Sequence, residues 1–285
     1  MRESLLTASG VPVALLSVPL ALFVVLAETT IGTVFTVLLL QTRGDLTRGF
    51  LKFMALAETG LAVVALLAAL GAPPASYVRL LRINGAAAGV LPGLLVLVVV
   101  ALAAAAWATW TGRSGLLTWL PPALTCGALL AAMALTFVTL GGSVVDGLAI
   151  AVLAVVSSLV LGAATTGMLL GHWYLVTPAL TNRPLLRAIA ILLVALVVQP
   201  LIFLPGLLGL ARSPGSVSAI LTQNPTLAVL WALGAVGLPL LAAGLAFPTC
   251  RMRSFMSTTG LLYLAMIALL PGQLLGHLLL FVTAA

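Results

Sequence analysis

GAAAGVLPGLLVLVVVALAAAAWATWT, residues 85–111, runs for 27 positions without one charged side chain. About 20 apolar residues cross a bilayer as a helix, because lipid offers the backbone no hydrogen-bond partner and a helix satisfies its polar groups internally. Seven further stretches read the same way, near 13–41, 48–71, 116–140, 147–176, 185–210, 226–249 and 258–283. Of 285 residues only 12 are Lys or Arg and 5 are Asp or Glu, 63% are hydrophobic and the mean hydropathy is +1.31. No water-soluble fold hides that much apolar surface, so the expected fold class is an all-α integral membrane protein with eight transmembrane helices.

An even count puts both termini on one side. Loops after the odd-numbered spans carry Arg43, Arg48, Lys52, Arg113, Arg183, Arg187, Arg251 and Arg253, whereas the other side carries Arg2, Arg79, Arg82 and Arg212. Positive residues stay on the cytoplasmic side, so both termini are expected outside. The expected location is the cytoplasmic (inner) membrane of a prokaryote, multi-pass. The first span is too long for a cleaved secretory signal, contains Glu28 and has no small-residue cleavage site, so it reads as a retained helix. A pI near 10.8 would suggest nucleic acid in a soluble protein. Here the cations flank helices and serve orientation and lipid headgroups, so membrane lipid is an expected partner and nucleic acid is not.

The chain carries an internal echo. Thr29-Thr30, Thr36, Gln41 and Arg48-Gly49-Phe50-Leu51-Lys52 recur, offset by 135 to 136 residues, as Thr165-Thr166, His172, Thr177 and Arg183-Pro184-Leu185-Leu186-Arg187. Two four-helix halves are implied, 1–143 and 144–285, and because four is even they form a parallel repeat of two transmembrane bundles.

Polar residues inside the spans are the candidates for function. Glu28 and Glu58 each stand in a Leu-Ala-Glu-Thr tetrapeptide near mid-span, and a carboxyl group in hydrocarbon must be neutral, paired or facing a wet cavity. They read as a protonatable pair and proton-relay candidates, with packing glue as the alternative; no basic residue is expected at their depth, which argues against a stable ion pair. His172, Tyr174, Gln199, Gln273 and His277 complete the intramembrane polar set. His172, beside Trp173 and Tyr174, reads as an interfacial anchor, and His277 as either a hydrogen bond across the bundle or a ligand contact. The two histidines are expected on opposite sides of the membrane, which excludes a haem held by both. Cys126 and Cys250 have no metal-ligand spacing and read as buried thiols, so no metal is expected. Gln199-Pro200, Pro205, Pro239 and Pro271 can open local polar pockets, while Gly167 with Gly171 and Gly272 with Gly276 fit close helix packing. Phosphate-binding loops, His-x-x-x-His pairs and serine triads are missing.

Four segments carry a resemblance: Val25 to Asp45 with Glu28, Gly32 and Arg43-Gly44-Asp45; Leu66 to Ile83 with Leu70-Gly71-Ala72-Pro73, Tyr77, Arg79 and Arg82; Gly162 to Leu175; and Leu269 to Phe281. On these the chain resembles the membrane-anchor subunits of dimethyl sulfoxide reductase, polysulfide reductase and formate-dependent nitrite reductase. The resemblance implies a non-catalytic anchor or quinone-interacting subunit of a respiratory oxidoreductase complex serving anaerobic electron transport. It implies an iron–sulfur electron-transfer subunit and a molybdopterin catalytic subunit as partners. No cofactor is expected on this chain itself beyond a quinone (menaquinone or ubiquinone), with Tyr77, Arg79 and Arg82 as quinone-binding candidates. The family's quinol-site histidine corresponds to Ala69, its third-span acid to the apolar 90–92, and its glutamate and arginine of the last span to Gln273 and His277. The implied quinone site thus lacks the family's proton acceptor. A proton-coupled secondary transporter and a purely structural membrane subunit are the rival readings.

Reporter fusions test the orientation. An alkaline phosphatase fusion after Ala285 is expected to be active and a green fluorescent fusion dark; the reverse pattern would place Arg79 and Arg82 inside.

Overall fold

The computed structural model describes residues 13–43, 46–177, 180–203 and 225–284. Arg2, Asp45, Pro205 and Arg212 lie outside the described residues, as does the end of the expected 185–210 span. Among those described the chain is all-helical, with eight helices long and apolar enough to cross a membrane. They are α1 (Val13–Gln41), α2 (Arg48–Gly71), α3 (Gly85–Trp110), α4 (Leu116–Phe137), α5 (Val144–Val176), α6 (Arg183–Leu201), α7 (Pro225–Arg251) and α8 (Phe255–Ala284). A 3₁₀ helix, Pro74–Arg79, follows α2, and a short one, Val138–Leu140, follows α4.

Helix starts follow local chemistry. Thr47 accepts from Phe50 N to cap α2, and Asn84 accepts from the backbone N–H of Ala86 and Ala87 to cap α3. Ser143 accepts from Asp146 N and its hydroxyl donates to the Asp146 carboxylate at 2.6 Å, a reciprocal cap that starts α5 at Val144, three residues before the span read from hydropathy. The chain reverses after α3 through Gly112 at φ +104° and after α7 through Arg253 at φ +60°. Only glycine takes the first of these without strain. In α7 the residues Leu233–Gly237 widen to a π turn, in which Leu238 N–H reaches Leu233 O. Pro239 explains it: a proline ring clashes with the carbonyl four residues back, and a wider turn relieves that clash.

Helix α1 is the most enclosed of the eight and α3 the least. Within the first half, α1 packs on α2 and α4, and α3 on the same two; within the second, α5 packs on α6 and α8, and α7 on the same two. The halves meet where α1 lies against α5 and α8, and α4 against α5. The α1–α5 contact is close because glycine faces glycine. A Cβ at Gly32 would fall 1.6 Å from Ser158 O, and one at Gly162 would fall 1.9 Å from the Gly32 carbonyl carbon. Backbones in lipid associate by such small-residue packing, since lipid tails leave no hydrophobic force to drive it. Gly272 plays the same part between α8 and the π turn of α7, where a Cβ would meet Ala235 N at 2.4 Å, and Gly171 lies against Thr259. The close-packing reading of Gly171, Gly272 and Gly276 holds; Gly167 makes only ordinary contacts.

On the side away from the termini, the loops are tied across helices. Arg48 donates to Gly112 O, Gln41 to Ser114 O, Arg253 to Leu180 O and Asn182 to Cys250 O. Trp173 stacks on Phe53 and meets Phe50 edge-on, joining the end of α5 to the start of α2.

The glycine crossing is testable. Gly162→Leu forces α1 and α5 apart and is expected to cost at least the 1 to 3 kcal/mol, approximately, of an overpacked core, seen as a lower melting temperature in detergent. Gly60→Ala, whose Cβ meets nothing within 4 Å, is expected to be neutral or to stabilise by up to about 1 kcal/mol.

Candidate functional site

Where the two halves meet, α1 presents Glu28 and α8 presents His277. The carboxylate Oε2 and the imidazole Nε2 lie 2.9 Å apart, with Glu28 fully buried and His277 only 8% exposed. This corrects the expectation that no basic group reaches the depth of Glu28. Sequence distance hid the partner, since 249 residues separate the two. Glu28 and Glu58 are not hydrogen-bonded to each other, so the expected carboxyl pair gives way to a carboxyl–imidazole pair.

Local packing aims the ring. Gln273, His277 and Phe281 follow at i, i+4 and i+8 on α8 and therefore share one stripe. Phe281 stacks on the His277 ring at 6.4 Å between centroids, and Phe137 of α4 packs on Phe281 at 5.5 Å. Gly276 lets Trp231 of α7 close in, since a Cβ there would meet the indole Nε1 at 2.7 Å.

A lone ionised carboxylate in hydrocarbon costs several kcal/mol. Paired with imidazole, the Glu28 carboxyl has a partner with which it can share a proton. Glu28 Oε1 has no protein partner. Beside it is a cavity of about 20 Å³, lined by Val24, Glu28, Met133, Phe137, Ile150 and His277 among others. That is room for one water, which could satisfy Oε1.

A second polar pair stands one turn along α8. Gln199 of α6 and Gln273 exchange amide hydrogen bonds, Gln199 Nε2 donating to Gln273 Oε1 at 3.3 Å and Gln273 Nε2 donating to Gln199 Oε1 at 3.1 Å. With Ser157, Trp231 and His277 they border another cavity, of about 10 Å³. His277 thus lines both. A larger groove of about 340 Å³ between α5 and α6 is walled wholly by aliphatic side chains such as Leu159, Ile191 and Val198, and offers no group for chemistry.

The remaining candidates scatter. Glu58 is buried in α2, and its Oε2 has no partner. Tyr77, Arg79 and Arg82 lie on the α2–α3 connection, Tyr77 half-buried and both arginines exposed. Partial burial pushes the Tyr77 phenol above its usual value, so it remains a proton donor. This connection is anchored to the end of α4, Thr139 donating to Arg82 O and Asn84 N–H to Thr136 O. His172 is exposed. Because Gly171 lies against Thr259 on α8, His172 and His277 are separated by about 27 Å along that helix at 1.5 Å per residue, which keeps them at opposite ends as expected. Tyr174 is structural: its hydroxyl donates to Thr181 O at 2.6 Å and its ring stacks on Phe255 at 5.0 Å. Cys126 and Cys250 are buried free thiols. Thr29, Thr33 and Thr36 spend their hydroxyls on carbonyls one turn back in α1.

Comparison with protein-family models, characterised proteins and solved structures gave no match for this chain.

Removing one member of a buried charge-capable pair strands the other. His277→Ala is expected to destabilise the protein by about 3 kcal/mol or more, against about 1 to 3 kcal/mol for Gln199→Leu, which strands only an amide. The Gln199→Leu/Gln273→Leu double variant is expected to recover most of the single loss. Thermal or denaturant unfolding in a fixed detergent ranks the three.

Proposed function

We propose that this chain is a membrane-anchor subunit of a respiratory-type oxidoreductase complex, interacting with quinone at the terminal side and handling the protons of that exchange through Glu28 and His277. The neighbour relations of the helices support two parallel four-helix bundles, 1–143 and 144–285, with Glu28 and His277 bridging them. The observation that carries the reading is the hydrogen-bonded Glu28–His277 pair beside a small cavity. Quinol oxidation must release a proton to a base near the ring oxygen, and arginine, always protonated, cannot accept it. The resemblance expects that base where Ala69 stands; the pair offers one from the other bundle. Tyr77, Arg79 and Arg82 then bind the quinone oxygens, on a connection whose anchor points Thr136 and Thr139 lie beside Phe137 of the Glu28 cavity. A cavity of about 20 Å³ admits a water rather than a quinone ring, so the pair acts as proton acceptor behind the site and not as its floor. An iron–sulfur subunit and a molybdopterin enzyme are the partners this role calls for, in a prokaryotic inner membrane with both termini outside.

A proton-coupled secondary transporter is the second reading, favoured by the π turn of α7 packed against Gly272 beside the enclosed polar residues.

Extraction of the tagged chain from its native membrane in mild detergent is expected to bring down an iron–sulfur protein and stoichiometric molybdenum. In that complex Arg79→Ala is expected to weaken quenching of a fluorescent quinol analogue. His277→Ala is expected to leave binding in place and lower quinol-linked turnover by about 100-fold or more, the usual worth of a positioned general base. A chain that comes out alone and drives solute uptake down a pH gradient in liposomes is a transporter instead.

A further inference from the structure

We infer that His277 is a proton shuttle between two single-water sites, so that protons reach Glu28 laterally, from the Gln199–Gln273 pair on α6 and α8, and not through the loop that carries Tyr77, Arg79 and Arg82. This rests on the reading of Glu28–His277 as a proton site and specifies its route.

Three observations carry it. The imidazole of His277 lines both small cavities, one with Glu28 and one with Ser157, Gln199 and Gln273. Each cavity is close to the volume of one water, the second at the lower limit, and each presents polar partners of the kind that hold one. Glu28 Oε1 is a fully buried acceptor with no protein partner, on the first cavity's wall. Imidazole suits the task because its two nitrogens act in sequence. With Glu28 ionised and accepting from the Nε2–H of a neutral ring, a proton taken up at Nδ1 yields imidazolium, Nε2 gives its own proton to Glu28 Oε2, and the ring is left neutral as the Nδ1–H tautomer. The ring is neutral before and after, and the proton that enters ends on Glu28, which passes from carboxylate to carboxylic acid. The glutamine pair is built for a fixed orientation: each amide is held by the other, which leaves one N–H and one oxygen lone pair apiece to turn toward a water.

Deuterium exchange of the full chain in lipid nanodiscs, followed by infrared spectroscopy, tests the route. The carboxyl band is assigned with Glu28→Gln. If Glu28 is ionised and shows none, the ring bands of isotopically labelled histidine report instead, with His172→Gln separating the two histidines. Exchange at the pair is expected to slow at least 10-fold in Gln199→Leu/Gln273→Leu, which strands no amide, and in His277→Phe read at the carboxyl. It is expected to stay at the wild-type rate in Thr139→Val, which unties the loop from α4 and keeps Tyr77, Arg79 and Arg82. A wild-type rate in the double leucine variant overturns the route, as does slowing confined to the loop variant or a pair that does not exchange over hours in the wild type. Melting temperature and native elution volume confirm that each variant is folded. Because the assay needs no partner, a chain that exchanges this way but recruits no iron–sulfur protein keeps the route and loses only the anchor assignment.

Discussion

The crossing of Gly32 over Gly162 sets the depth to which α1 sinks between the halves. With no side chain on either residue, the two backbones approach until Ser158 O fills the place where a Cβ would stand. Helix α1 is then walled by α2, α4, α5 and α8 at once. A helix so enclosed cannot turn Glu28 toward lipid headgroups, and the carboxyl must find its partner inside. The partner it finds is His277, because α8 is the second-half helix that also reaches α1 with a basic side chain. Polar pairing and glycine packing both depend on α1: it carries Glu28 to His277 at 2.9 Å and Gly32 against α5.

The polar interior is sparse and ordered along α8. Gln273, His277 and Phe281 recur at helical spacing, and each meets a different neighbour: Gln199 on α6, Glu28 on α1 and Phe137 on α4. In lipid an interhelical hydrogen bond between neutral groups contributes about 1 kcal/mol, whereas a stranded ionisable group costs several. The Glu28–His277 pair therefore matters more to the choice of helix neighbours than the glutamine pair does, and the glutamines are freer to serve function.

Function as proposed divides between two kinds of basic group, the exposed arginines of the α2–α3 connection and the buried His277 of α8. Exposed Arg79 and Arg82 can hold an anion or a polarised oxygen but never release a proton. Buried His277 carries an imidazole, a group able both to accept and to release a proton, and it is screened from solvent. In that proposal the arginines alone would leave the proton of quinol oxidation without an acceptor.

Composition and hydropathy were enough to place eight helices, because the rule that backbone polar groups in lipid must be satisfied within the segment leaves few alternatives. The bounds of α1 and α2 match the sequence reading, and the starts of α5 and α8 lie three residues earlier than read, where a cap or a short turn, not hydropathy, decides. Glu28, Gln199, Gln273 and His277 were legible as candidates because polar residues in apolar spans are costly wherever they occur. Their pairing was not legible. Two Leu-Ala-Glu-Thr repeats suggested Glu28 with Glu58, but helix rotation about its axis is set by side-chain packing across the bundle, and a rotation of one residue, about 100°, turns a carboxyl from one neighbour to another. The sequence by itself determined that the chain crosses the membrane eight times and which residues are too polar to be there without cause. Only the tertiary structure, through a glycine contact 130 positions apart in the chain (162 − 32), decided which of them meet.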